Sequence, residues 1–455
     1  MERRQFLKNF GLGSLFSISS LAGMRKTSAG EKDFLKDTSS ENLSQRPFSI
    51  LQSAASTSAT TLVAVVPRRA LVTFEIVECE SDYRPPFLLK EMSMFENLLP
   101  DSERVFHIHV EELREGRDYK LLCYENSELR DLRYFSGLKL DHKKFAALSC
   151  SNQSLVGPQK GIWSSLKSEN VDALFYLGDS VYANSPWDTV LGKLARPEKA
   201  YERYLQAFKT IPLYRFDKLI PVFNVWDDHD YASNNGDKYH PHKIEMQSIF
   251  RVFFPLDYGP HLEKGPGVSF SITFGNCIYY FIDGRSFRDY STETNSLLGD
   301  QQKEWLSGRL KQNPVPSVLI LGSQIYGFGR NRDCVEARHP ADLFWLQKLF
   351  RHFNAPMAFI TGDVHFSHVQ KLSAEDFGYS TYEFTSSAMH SYYFPGWGRR
   401  SPLLGQMHYC GWPNYNVFEI SSLSGQMKVQ FLCKASDNSV QYQSEVLIVP
   451  PPERL

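Results

Sequence analysis

From residue 145 onward the chain repeats one texture: a short, uninterrupted apolar run ends at or beside Gly, Cys, Asp or Gln, and a segment with helical periodicity follows. The apolar runs are 145–149, 173–177, 219–225, 277–283, 318–322 and 357–361, and the helical segments include 200–210, 301–312 and 341–353. Strands that alternate with helices predict a layered α/β domain over residues 143–455. In such domains reactive side chains gather beyond the carboxyl ends of the strands, which is where these polar residues fall.

Ahead of that stretch, short runs rich in β-branched residues (61–66, 70–77, 105–110 and 119–124) alternate with polar turn clusters. They predict a small all-β sandwich of fibronectin or Ig type over residues 47–142. His107 and His109 alternate onto one face of a strand there and are expected to be solvated, not a metal pair. Residues 31–46 are polar and Ser-rich and suit a flexible linker. Residues 1–30 carry Arg3-Arg4-Gln5-Phe6-Leu7-Lys8 and then a mildly apolar run, the pattern of a twin-arginine signal peptide. The expected partner is the twin-arginine export machinery, and the expected location is periplasmic or extracellular. No later stretch reaches the roughly 18 to 20 apolar residues of a membrane span, so no stable anchor is expected after cleavage.

Lys plus Arg (50) nearly cancels Asp plus Glu (51), so no nucleic-acid-binding surface is evident. Seven cysteines without a CxxC pair exclude a zinc knuckle or a thioredoxin-like motif. An even set of them could pair into disulfides while one stays free for another task, although scattered cysteines are more often plain buried hydrophobes.

Four segments carry the chemistry together. Residues 146–150 form an apolar strand that delivers the Cys150 thiol, a strong ligand for a transition metal once deprotonated. At 174–182 a strand ends in Gly178 and presents Asp179, whose two oxygens can bridge two cations. Tyr182 is placed on the same side by one turn of a starting helix. At 221–230 another strand runs into Asp227, Asp228, His229 and Asp230, a cluster whose carboxylates repel unless a cation neutralises them. At 359–367 Asp363 and His365 alternate after Gly362. Read singly, each has a structural alternative: a core thiol, a helix cap, a solvated turn.

The ordered set resembles the alkaline phosphatase D (PhoD-like) branch of the metallophosphoesterases. Its motifs match at Ser149-Cys150, at 178–182, at 226–230, at 283–288, at 298–306 and at 362–365. The resemblance implies a metallophosphatase-type layered β-sandwich core with flanking helices. It also implies Fe3+ on Cys150, Asp179, Tyr182 and His365, with Asp179 bridging to Ca2+ held by Asp228 and Asp363; other divalent metals are open. His229 is implied as a proton donor or a hydrogen-bond partner of the phosphoryl oxygens. Arg285 and Arg288 are phosphate-facing candidates, with surface salt bridges as their alternative. The expected activity is metal-dependent hydrolysis of a phosphate ester, with water attacking in line at phosphorus. The rival from another class is a non-catalytic surface or binding protein on the same fold.

Overall fold

The computed structural model describes residues 46–450 except 93, 96–97, 100–102, 160, 185–193, 257–261, 292–294, 328–332, 354, 393–395, 397 and 401. The expected signal peptide at 1–30 and nearly all of the expected linker lie outside the described residues. Among those described, no helix is long and apolar enough to cross a membrane.

The apolar runs form strands because each must bury both faces. The first sheet has ten strands, in the order β21 (Val440–Ile448), β20 (Gln426–Ala435), β19 (Asn414–Leu423), β8 (Lys144–Leu148), β9 (Ala173–Leu177), β10 (Pro221–Val225), β1 (Ser49–Ser53), β2 (Thr60–Val66), β5 (Arg104–Val110) and β4 (Phe87–Glu91). The second has eight: β11 (Leu262–Lys264), β12 (Phe270–Phe274), β13 (Cys277–Ile282), β14 (Ser317–Leu321), β15 (Met357–Thr361), β17 (Thr381–Thr385), β16 (Ser367–Leu372) and β18 (Gln406–Cys410). Strands β8, β9 and β10 run parallel, as do β13, β14, β15 and β17.

Aromatic side chains join the two sheets. Phe175 meets Tyr279 at 5.1 Å and Phe281 at 5.2 Å between ring centroids, and Phe384 meets Phe418 at 5.5 Å, all edge to face. Such pairs add about 0.5–1.5 kcal/mol each beyond the area they bury. The protein is thus mixed α/β, with large sheets and few helices.

The expected separate domain at 47–142 needs correction, because its strands extend the large sheet. Strand β1 pairs in parallel with β10, and β2, β5 and β4 continue outward from it. The remaining strands, β3 (Val72–Glu78), β6 (Asp118–Glu125) and β7 (Glu128–Ser136), form a three-stranded sheet. It covers one face of that extension through a core that includes Ile50, Leu62, Phe74, Phe106, Ile108 and Leu121. On the opposite face His107 and His109 are buried, not solvated. His107 Nε2 lies 2.7 Å from the Val252 carbonyl of the helix Lys243–Phe253, and His109 contacts Thr61 and Glu111.

Candidate metal centre

The carboxyl ends of β8, β9 and β10 in one sheet meet those of β15 and β17 in the other. Just past these ends Cys150, Asp179, Asp363 and His365 all take left-handed backbone conformations, with φ of 58°, 52°, 73° and 58°. Non-glycine residues hold that region at a cost on the order of 1 kcal/mol each, so four in one place mark a site whose surroundings over-determine it. The approach of the chains is equally close. A Cβ on Gly362 would lie 2.6 Å from Ser149 Oγ and 2.7 Å from the Leu177 carbonyl, and one on Gly178 would lie 2.3 Å from Asp227 Cβ.

The side chains converge accordingly. Cys150 Sγ lies 3.5 Å from Asp179 Oδ2 and 3.3 Å from Ser149 Oγ, and it accepts a hydrogen bond from Ser387 Oγ at 3.0 Å. Tyr182 Oη lies 3.2 Å from His365 Nε2, and the Tyr182 ring stacks on His229 at 3.9 Å. The 178–184 segment is a bend and not the helical turn expected from the sequence, so Tyr182 reaches His365 from irregular backbone. Asp363 and His365 likewise lie on a tight turn, not an extended chain. Three groups have ligand atoms within 4.8 Å of one another: Cys150 with Asp179 and His365, Asp179 with Asp228 and His229, and Asp227 with Asp228 and Asp363.

The electrostatics fit cations. Burial pushes the Cys150 thiol up, with the Asp179 charge adding to it. Burial also raises Asp179 and Asp363 far above the usual carboxylate range, reinforced by the neighbouring acids. At Asp228 burial acts in the same direction but is outweighed by His229, Arg285 and the Asn235 N–H, and this carboxyl is held low. One oxygen of Asp227 and one of Asp228 are buried without a hydrogen-bond donor. An orphaned buried carboxylate oxygen is expensive unless something positive faces it. Thiol, phenol, imidazole and carboxylate oxygens are the donor types that transition and alkaline-earth cations take. His229, Asp363 and His365 are only partly buried, so the centre is open on their side.

The family's sequence model for PhoD-like phosphatases matches residues 145–402, more than half of the chain. The chain belongs to the PhoD-like phosphatase family. Its fold is similar to that of a solved structure described as "Structure of PhoD", with a TM-score of 0.66 at 16% identity over 90% of this chain and 94% of that one. No curated protein matches.

Within this PhoD-like phosphatase the matched motifs divide between centre and scaffold. Trp226 Nε1 donates to Asp283 Oδ1 at 2.7 Å, tying β10 to the turn after β13. Gln302 closes that turn through both backbone groups of Asp283. Asp230 points away from the other acids and accepts from Ser180 Oγ, Val181 N and Asp227 N. Arg285 and Arg288 are fully buried, which corrects the surface salt-bridge reading. Arg285 donates to Asp227, Asp333 and Ser323; Arg288 donates to Asp333, Ser323, Tyr290 and the Gly284 carbonyl. Sequence reasoning did not single out Ser387, Asn184, Asp333, or Asp227 as a ligand. Only Asp227 carried a signal, its place in the acidic run.

Proposed function

We propose that this protein hydrolyses phosphate esters at a pair of cations held where the two sheets meet. Cys150, Asp179, Tyr182 and His365 would hold the softer, ferric ion, and Asp179, Asp228 and Asp363 the harder one, calcium. The observation that carries the reading is the convergence of these six side chains, from segments far apart in sequence, around buried carboxylate oxygens that lack donors. Bound there, the cations would supply Lewis acidity to the phosphoryl oxygens and an activated water.

The chain's own groups supply orientation and proton handling. His229 Nδ1 lies 2.8 Å from Asn184 Oδ1, and its ring is pinned on Tyr182, so Nε2 is left for the ester or its leaving oxygen. Burial lowers the His229 pKa, so the resting imidazole is neutral with its proton on Nδ1 toward Asn184, and Nε2 passes a proton to the leaving oxygen only after taking one up. Arg285 and Arg288 act as counter-charge behind Asp227 and do not touch the ester. Exit by the twin-arginine route belongs to the same proposal: that route carries folded proteins, so a cation loaded before export would stay in place.

Elemental analysis combined with hydrolysis of p-nitrophenyl phosphate and of its bis-ester tests the reading. Iron and calcium should co-purify, and Cys150→Ala should lose iron and activity together. Absence of hydrolysis of both esters with iron and calcium supplied would favour the non-catalytic alternative. A Cys150→Ala variant that keeps its iron would refute the ligand assignment.

A further inference from the structure

Away from the centre, strand β18 at the edge of the second sheet crosses the end of β20 and β21 in the first. His408 and Cys410, two residues apart and therefore on one face of β18, point the same way. His408 stacks on Tyr442 at 4.9 Å and meets Phe431 at 5.8 Å. Phe431 and Cys433 share a face of β20 by the same alternation, and Cys433 pairs in register with Tyr442 of β21. The register that seats His408 against Phe431 and Tyr442 therefore seats Cys410 over Cys433. Both thiols are buried, each close enough to shift the ionisation of the other, and Cys410 Sγ lies 3.8 Å from the Trp412 carbonyl.

We propose that Cys410 and Cys433, free thiols in this structure, are a redox pair that closes into a disulfide joining the two sheets. The inference is independent of the hydrolytic reading. The neighbouring Cys433 thiol lowers the Cys410 pKa and burial raises that of Cys433, so Cys410 is the thiol that attacks first. Its thiolate displaces one sulfur of a disulfide donor, such as oxidised glutathione or a dithiol oxidase, to give a mixed disulfide. Cys433, deprotonated, then attacks Cys410 Sγ and expels the second donor thiol. Two protons and two electrons leave the protein, and the donor is reduced to two thiols.

The test uses the full-length protein, incubated with oxidised glutathione and then alkylated in denaturant with chelator present. Two of the seven thiols should be protected until reductant is added, and peptide mapping should link Cys410 to Cys433. Cys410→Ser and Cys433→Ser should each abolish the protected pair. The oxidised protein should also melt several degrees above the reduced one. Seven alkylated thiols after oxidation, or a linked peptide joining other cysteines, would overturn the proposal. Because mapping is done on the unsubstituted chain, a variant that fails to fold does not decide the result.

Discussion

Two buried ionic clusters in this protein solve the same problem in opposite ways. Near the N-terminal extension Arg133 is fully buried, and it makes a two-pronged pair with Asp131 at 2.8 and 2.9 Å. Its other hydrogen bonds go to the carbonyls of Phe48, Tyr214 and Phe216. All its donors are used, so the charge is closed on itself. At the carboxyl ends of the parallel strands, by contrast, Asp179, Asp227, Asp228 and Asp363 crowd together with only part of their oxygens satisfied and with strained backbone beside them. A structural charge is buried with its partners; a working one is buried short of them.

Four changes break or sharpen that contrast. Asp179→Ala removes the carboxylate proposed to bridge the two cations, and losing several kcal/mol of charge stabilisation should lower hydrolysis on the order of 1000-fold or more. Steady-state rates together with metal analysis check it, and the fold should persist because a buried acid has been removed. Asp131→Ala does the reverse, leaving Arg133 unpaired, and should cost about 3–5 kcal/mol of stability. Denaturant titration measures that loss, while metal content per folded molecule should stay unchanged. Ser387→Ala removes the hydrogen bond to Cys150 Sγ and the acceptor for the His365 N–H; support of this kind is worth about 10–100-fold in metal affinity. Competition with a chelator reads it.

The smallest effect is the pH dependence of the metal-free protein. His365 is drawn down to about 4, chiefly by burial and then by His229. The unfolded chain therefore binds the extra proton first, and this contribution to stability is full above about 6.5 and lost as pH falls toward 4. Asp179 and Asp363 are raised by burial, so theirs is full below 3.8 and lost as pH rises through the folded values. Because His365 is partly exposed, solvent weakens its share. Denaturation midpoints against pH should fall on the alkaline side without cations and recover when they are added; a flat profile would argue against the buried acids.

What could be read from the sequence follows from how local each feature is. The five-residue apolar runs of β9, β10, β14 and β15 are buried on both faces, so composition alone announces them, and Gly followed by Asp marks where β9 and β15 end. The union of the N-terminal strands with the main sheet rests on β1 pairing with β10, a contact between distant segments that no local pattern encodes. His107 and His109 look solvated because they alternate with apolar residues, yet both are buried, His107 against a helix far along the chain. In the run Asp227, Asp228 and Asp230, repulsion is legible but the division of labour is not, because a turn sends Asp230 to Ser180 and Asp227 to Arg285. Ser387 and Asn184 are ordinary polar residues until the fold sets them beside Cys150 and His229.

Two of the three candidate ligand groups draw from both sheets: Cys150 and Asp179 face His365, and Asp227 and Asp228 face Asp363. The gap between the sheets, fixed by rings such as Phe175, Tyr279 and Phe281, is therefore also the bite width of the ligand set. Trimming one of those rings would act on ionic-radius preference from a distance, like loosening the hinge pin of a pair of callipers.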